Sequence, residues 1–128
     1  MSEVPQFAPQ SGPSSVAELA VRVEHPQPDA AVVVLLDEHD VSTRSVLESL
    51  VETLLAENDL VVVDLSEVEF VDSSIVNLLL ETKQIAPECA CVFRVQVGTS
   101  AVVHRLLEIT GVLVLLDWAP TRERALNG

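Results

Sequence analysis

Apolar positions change their spacing along this chain in a regular way. Leu19, Val21 and Val23 alternate with Ala20, Arg22 and Glu24, the period of a short half-buried strand. His25-Pro-Gln-Pro-Asp29 carries two prolines and reads as a turn. Ala31 to Leu36 is apolar without interruption, as expected of a strand covered on both faces. The polar run Asp37-Glu38-His39-Asp40 ends that strand, and Ser42 is placed to cap a helix. Val46, Leu47, Leu50, Val51, Leu54 and Leu55 then recur on one helical face, with Glu48, Glu52 and Glu57 opposite. Asn58-Asp59 breaks this helix, and a second buried strand is expected over 60–65.

Ser66 to Val71 reads as a connection with apolar positions at Val68 and Phe70. A helix is expected from about Ser74, with Ile75, Leu78, Leu79, Ile85 and Ala86 inward and Pro87 as its stop. Cys91, Phe93, Val95 and Val97 alternate with Arg94 and Gln96, predicting another strand. Gly98-Thr99-Ser100 is a turn and cap. Val102, Val103, Leu106 and Leu107 mark a third amphipathic helix, stopped by Gly111. Val112 to Leu116 is expected as the last strand, and a short helix after Pro120 or Thr121 would carry Ala125 and Leu126.

Strands alternating with helices imply an α/β domain whose sheet is mixed but mostly parallel, with helices packed against it. The first two strands are joined too closely for a crossover, so they should pair antiparallel. Residues 1–15 carry Pro5, Pro9 and Pro13 among Ser, Gln and Gly, the composition of a disordered tail. A single domain over 16–128 accounts for the rest. In such folds, function gathers on loops at the carboxyl ends of strands. Two polar loops sit there, 37–40 and 71–74.

Composition narrows the classes of function. At 128 residues and 48% hydrophobic, the chain can build one core, and its few aromatics make that core aliphatic. Twenty acidic against seven basic residues give a formal charge of −13, which repels nucleic-acid backbones and anionic membrane surfaces. No apolar run reaches spanning length, and the first residues lack a signal-peptide pattern, so a cytoplasmic location is expected. Cys89 and Cys91 are too close to staple a fold and are expected as reduced thiols. A structural zinc site would need two further ligands. His25, His39 and His104 are scattered and form no partner set. No cofactor or metal is expected.

The conspicuous polar feature is Asp72-Ser73-Ser74 at a helix entrance. A serine hydrolase would want glycines flanking its nucleophile, and none is near Ser73. No Gly-rich phosphate cradle exists among four glycines. A phospho-acceptor aspartate at Asp37 or Asp64 would need a lysine after a later strand, but the one lysine, Lys83, falls on the helix after Ser74. The remaining chemistry is modification of a hydroxyl by another protein. A phosphate there would meet free backbone N–H groups and the positive end of a helix dipole, and would add negative charge beside Asp72. From these residues alone, plain helix capping by Ser73 or Ser74 stays open beside that switch.

Together these features resemble the STAS domain of bacterial anti-sigma-factor antagonists, over nearly all of Glu18 to Leu126. The resemblance rests on Asp37-Glu-His-Asp40, where the family has Gly-Glu-x-Asp. It rests also on Val62-Val-Asp-Leu-Ser66 with Phe70-Val-Asp-Ser-Ser74, on Ser100 to Gly111, and on the element order. It implies a non-enzymatic protein that binds an anti-sigma factor of the serine-kinase type and frees a sigma factor. Phosphorylation by that kinase would end the interaction, and a serine phosphatase would reset it. The acceptor maps to Ser73 rather than Ser74. Asp40, Asp72, Ser74 and Ile75 map to the partner-facing and acidic positions, and a monomer or weak dimer is expected. Two positions depart from the pattern: Asp37 and Ile75 each stand where the family has glycine. The alternatives are a scaffold-type STAS subunit of a signalling assembly and an accessory STAS subunit of a lipid transporter.

Overall fold

A computed structural model describes residues 18–127; the expected tail over 1–15 lies outside them. The elements in order are β1 (Val21–Gln27), β2 (Ala30–Leu35), β3 (Asp37–His39), α1 (Val41–Glu57), β4 (Leu60–Asp64), β5 (Val68–Val71), α2 (Ser73–Ile85), β6 (Val92–Gln96), α3 (Ala101–Thr110), β7 (Trp118–Ala119) and α4 (Arg122–Asn127). Single 3₁₀ turns occupy Ala86–Cys89 and Val112–Val114. The main sheet has the order β1-β2-β4-β6-β7. Among the described residues only β1 and β2 pair antiparallel; the other ladders of this sheet run parallel, as short and long connections respectively require.

Every residue of β2 is buried, because both sheet faces are covered. On one face, Val33, Val63 and Val95 pack with Leu47, Val51 and Leu55 of α1, Ile75 and Leu79 of α2, and Leu107 of α3. On the other, Val32, Val34 and Val62 pack with Ala119 and with Ala125 of α4. Each fully buried aliphatic side chain contributes roughly 1.5–3 kcal/mol relative to exposure, so the three-helix face dominates stability.

Four expectations need correction. β1 runs through Pro26 to Gln27, because an edge strand spares the N–H that proline lacks. The stretch 66–71 is not plain connection, since Val68–Val71 is a strand. It pairs in parallel with β3, where only the end of a strand was expected. The apolar run from Val112 to Leu116 is not a strand: Val112 and Leu116 are buried, but Val114 and Leu115 are 86% and 63% exposed. The edge strand is the two-residue β7 instead, paired at Val95 and Gln96.

Candidate functional site

β2 and β4 lie side by side, and each is continued by a shorter strand, β3 and β5, in a separate two-stranded sheet. Each short strand then ends at an aspartate that starts a helix. Asp37, at the irregular start of β3, has φ +57°, in the left-handed region. That explains why glycine suits this position, and aspartate is one of the residues that tolerate it.

Asp40 is the N-cap of α1. Its Oδ1 accepts the Ser42 N–H at 2.9 Å and the Ser42 hydroxyl at 2.6 Å, and its own N–H donates to Thr43 Oγ1. Ser42 is therefore not the cap, since the helix begins two residues earlier than a Ser42 cap would start it. Asp72 does the same for α2, so neither Ser73 nor Ser74 caps it. Asp72 Oδ1 accepts the N–H groups of Ser74 (2.9 Å) and Ile75 (3.2 Å) and the Ser74 hydroxyl (2.6 Å). Its other oxygen accepts the Val41 N–H of α1 at 3.2 Å. One carboxylate thus holds the first turns of both helices, and the two polar loops converge on it. The Asp72 N–H closes the arrangement by donating to the His39 carbonyl.

Burial works against the Asp72 carboxylate, but the Ser74 hydroxyl and the N–H groups of Ile75, Ser74 and Val41 outweigh it. They hold its pKa below the ordinary value. They also alter the expectation for a phosphate here. The N–H groups of Ser74 and Ile75 are already taken by Asp72. A phosphate on a neighbouring hydroxyl would therefore meet a carboxylate before it met free donors.

The two serines differ. Ser74 is half-buried, with its hydroxyl committed to Asp72. Ser73 occupies the first helical position, is exposed, and its hydroxyl has no partner among the described residues. Ile75 is wholly buried in the three-helix core, so it presents no side chain to a partner and leaves the partner-facing set. It lies on the inward face of α2 that its spacing with Leu78 and Leu79 predicts.

Sequence reasoning missed several contributors. Val41 and Phe70, 72% and 47% exposed, flank the aspartates as apolar surface. Arg44 donates to the Ser74 carbonyl at 2.9 Å and pairs with Glu81, bracing α1 against α2. His39 is fully buried, with Nε2 2.9 Å from the Ala20 carbonyl and Nδ1 3.1 Å from Thr43 Oγ1. A polar residue followed three positions later by threonine was the readable signal for the Asp40 cap.

Other candidates fall elsewhere. Asp64 is 2% exposed, accepts the Ser66 N–H and pairs with Arg122 at 3.5 Å, so it offers no acceptor to a partner. Cys89 is exposed and Cys91 buried, both as free thiols. Burial, with Cys89 and Asp59 nearby, pushes the Cys91 thiol up, away from thiolate reactivity. Among the described residues no group of three or more His, Cys, Asp and Glu could hold a metal ion. No helix there is long and apolar enough to cross a membrane.

Residues 24–117 match the family described as Mlab, STAS domain. No curated protein matches the chain significantly. Among solved structures, an anti-sigma factor antagonist from Mycobacterium paratuberculosis is 25% identical, with a TM-score of 0.70 over 84% of this chain and 90% of that one. The anti-sigma factor antagonist SpoIIAA of Bacillus, in its unphosphorylated form, is 20% identical, with a TM-score of 0.67 over 84% and 94%. SLC26A9 shares the fold at 11% identity, with a TM-score of 0.62, over 77% of this chain and only 19% of its own.

Proposed function

The chain belongs to the STAS domain family, and on that footing we propose that it is an anti-sigma-factor antagonist switched by phosphorylation of Ser73. It binds an anti-sigma factor of the serine-kinase type and so releases a sigma factor; it is a binding partner and kinase substrate, not an enzyme. The observation that carries this reading is the contrast between the serines: Ser73 Oγ is exposed and unpartnered among the described residues, while Ser74 Oγ is held by Asp72 at 2.6 Å. The kinase moves the γ-phosphoryl group of ATP to Ser73 Oγ, and the hydroxyl proton leaves. The product carries about −1.5 to −2 charges beside Asp72 and Asp40. Because Asp72 already occupies the N–H groups of Ser74 and Ile75, the phosphate is not absorbed into the helix start. It projects from the face where Val41 and Phe70 offer apolar contact, and the partner is expelled.

Incubation with a kinase-type anti-sigma factor and ATP, followed by peptide mass spectrometry, tests this. Phosphate on Ser73, with loss of the complex, is expected. Phosphate on Ser74 alone, or no complex with any such factor, refutes it. A second reading, service as one subunit of a membrane-transport assembly, draws on SLC26A9, of which a domain of this fold is only a small part. Co-purification with a transporter ATPase instead of an anti-sigma factor would favour it.

A further inference from the structure

The few basic residues of this acidic chain are used unevenly. Arg22, Arg44, Arg94 and Arg122 are held in ion pairs, while Lys83, Arg105 and Arg124 have none among the described residues. Arg124 lines an open cavity of about 450 Å³ together with Arg94, Asp117, Trp118, Ala119 and Pro120. A hollow of that volume suits a small molecule.

Two guanidinium groups share this hollow, and they differ in kind. Arg94 is braced: its Nε donates to Asp117 Oδ2 and its Nη1 to the Ala125 carbonyl, both at 3.0 Å. That leaves its Nη2 without a protein partner among the described residues. The bond to Ala125 also ties the Arg94 guanidinium to α4 beside Arg124, whose own side chain is unpaired. One carboxylate, Asp117, stands against the two cations, so the lining is net positive within a chain of charge −13. A braced planar donor next to an unpaired one matches the oxygens of a carboxylate or phosphate. Trp118, 37% exposed, and Pro120 add an apolar wall. The Trp118 ring is itself steadied by an edge-to-face contact with His104, at 5.9 Å between centroids.

We propose that this cavity binds a small molecule carrying a carboxylate or phosphate group on a flat apolar body. The oxyanion bridges Arg94 Nη2 and the Arg124 guanidinium, and the apolar body lies against Trp118 and Pro120. None of the lining residues belongs to the loops around Asp40 and Asp72, so this site is separate from the serine site. The inference stands whether or not Ser73 is a phospho-acceptor.

The chain has one tryptophan, so the Trp118 indole N–H is a single reporter in an NMR titration of the full chain. Phenyl phosphate and benzoate are the probes, with inorganic phosphate and benzylamine as controls. At least one aromatic oxyanion should give saturable shifts at Trp118 and Ala119 that weaken with salt, and the tighter of the two assigns the charged group. Inorganic phosphate should bind more weakly than that probe, and benzylamine should not bind. Arg124→Glu should weaken the tighter probe roughly tenfold. Arg105→Glu, the same charge change at another unpaired arginine outside the cavity, should leave its affinity unchanged. Benzylamine or inorganic phosphate binding as tightly, equal losses in the two variants, unchanged affinity in Arg124→Glu, shifts confined to the starts of α1 and α2, or no saturable shift overturns the proposal.

Discussion

Replacing Asp72 probes the whole arrangement, because this carboxylate serves two helices. Asp72→Ala removes the N-cap of α2, worth about 1 kcal/mol. It also removes the acceptor of the Val41 N–H, a charge-assisted bond at 3.2 Å in an exposed setting, which adds about 1 kcal/mol after discounting for solvent. A loss of about 2 kcal/mol at pH 7 is expected, on the order of an 8 °C fall in Tm for a domain of this size. Asp72→Asn separates the two parts. Its carbonyl oxygen still caps α2, but its amide sets N–H against the Val41 N–H, so about 1 kcal/mol should go. Acidification provides an independent check. The folded Asp72 has a lowered pKa, so its charge stabilises the fold above about pH 4 and that contribution is lost as pH falls through the folded value. The penalties of both variants, from urea unfolding followed by circular dichroism, should therefore shrink from pH 7 to about pH 3. Equal costs for alanine and asparagine, or penalties that ignore pH, would refute the double-cap account.

Ser73→Ala should leave stability within about 0.5 kcal/mol, whereas Ser74→Ala should cost about 1 kcal/mol because it leaves Asp72 one donor short; paired denaturation curves decide. Ile75→Gly, which installs the family residue, should destabilise by at least about 3 kcal/mol, from the vacated core volume plus glycine's cost in a helix. A variant as stable as the parent by calorimetry would show that Ile75 is not core. Gly98→Ala would place Cβ 2.6 Å from Ser66 Cβ and 2.8 Å from its Cα, on a backbone with φ +76°. A loss on the order of 2 kcal/mol is expected in the same assay.

Local patterning along the chain was enough to set the buried strands β2 and β4, the inward faces of α1 and α2, the Gly111 stop, and a polar loop at the carboxyl end of each of two strands. Those features depend on period, continuity and turn chemistry, which neighbouring residues carry among themselves. The Asp-Ser-Ser signature located the site, but not what each residue does there. Folding in three dimensions had to decide that β3 and β5 exist, since strands of three and four residues form through pairing with each other rather than through a period of their own. It likewise decided the end of the sheet: Val112–Leu116 is apolar enough for a strand, but the chain turns after Gly111 and pairs later, at Trp118. The division of labour between the serines came from the cap: Asp72, not a serine, takes the N-cap position of α2 and its carboxylate holds the Ser74 hydroxyl. That commits Ser74 to Asp72 and leaves Ser73 exposed, while Ile75 keeps the inward place its spacing with Leu78 and Leu79 predicts.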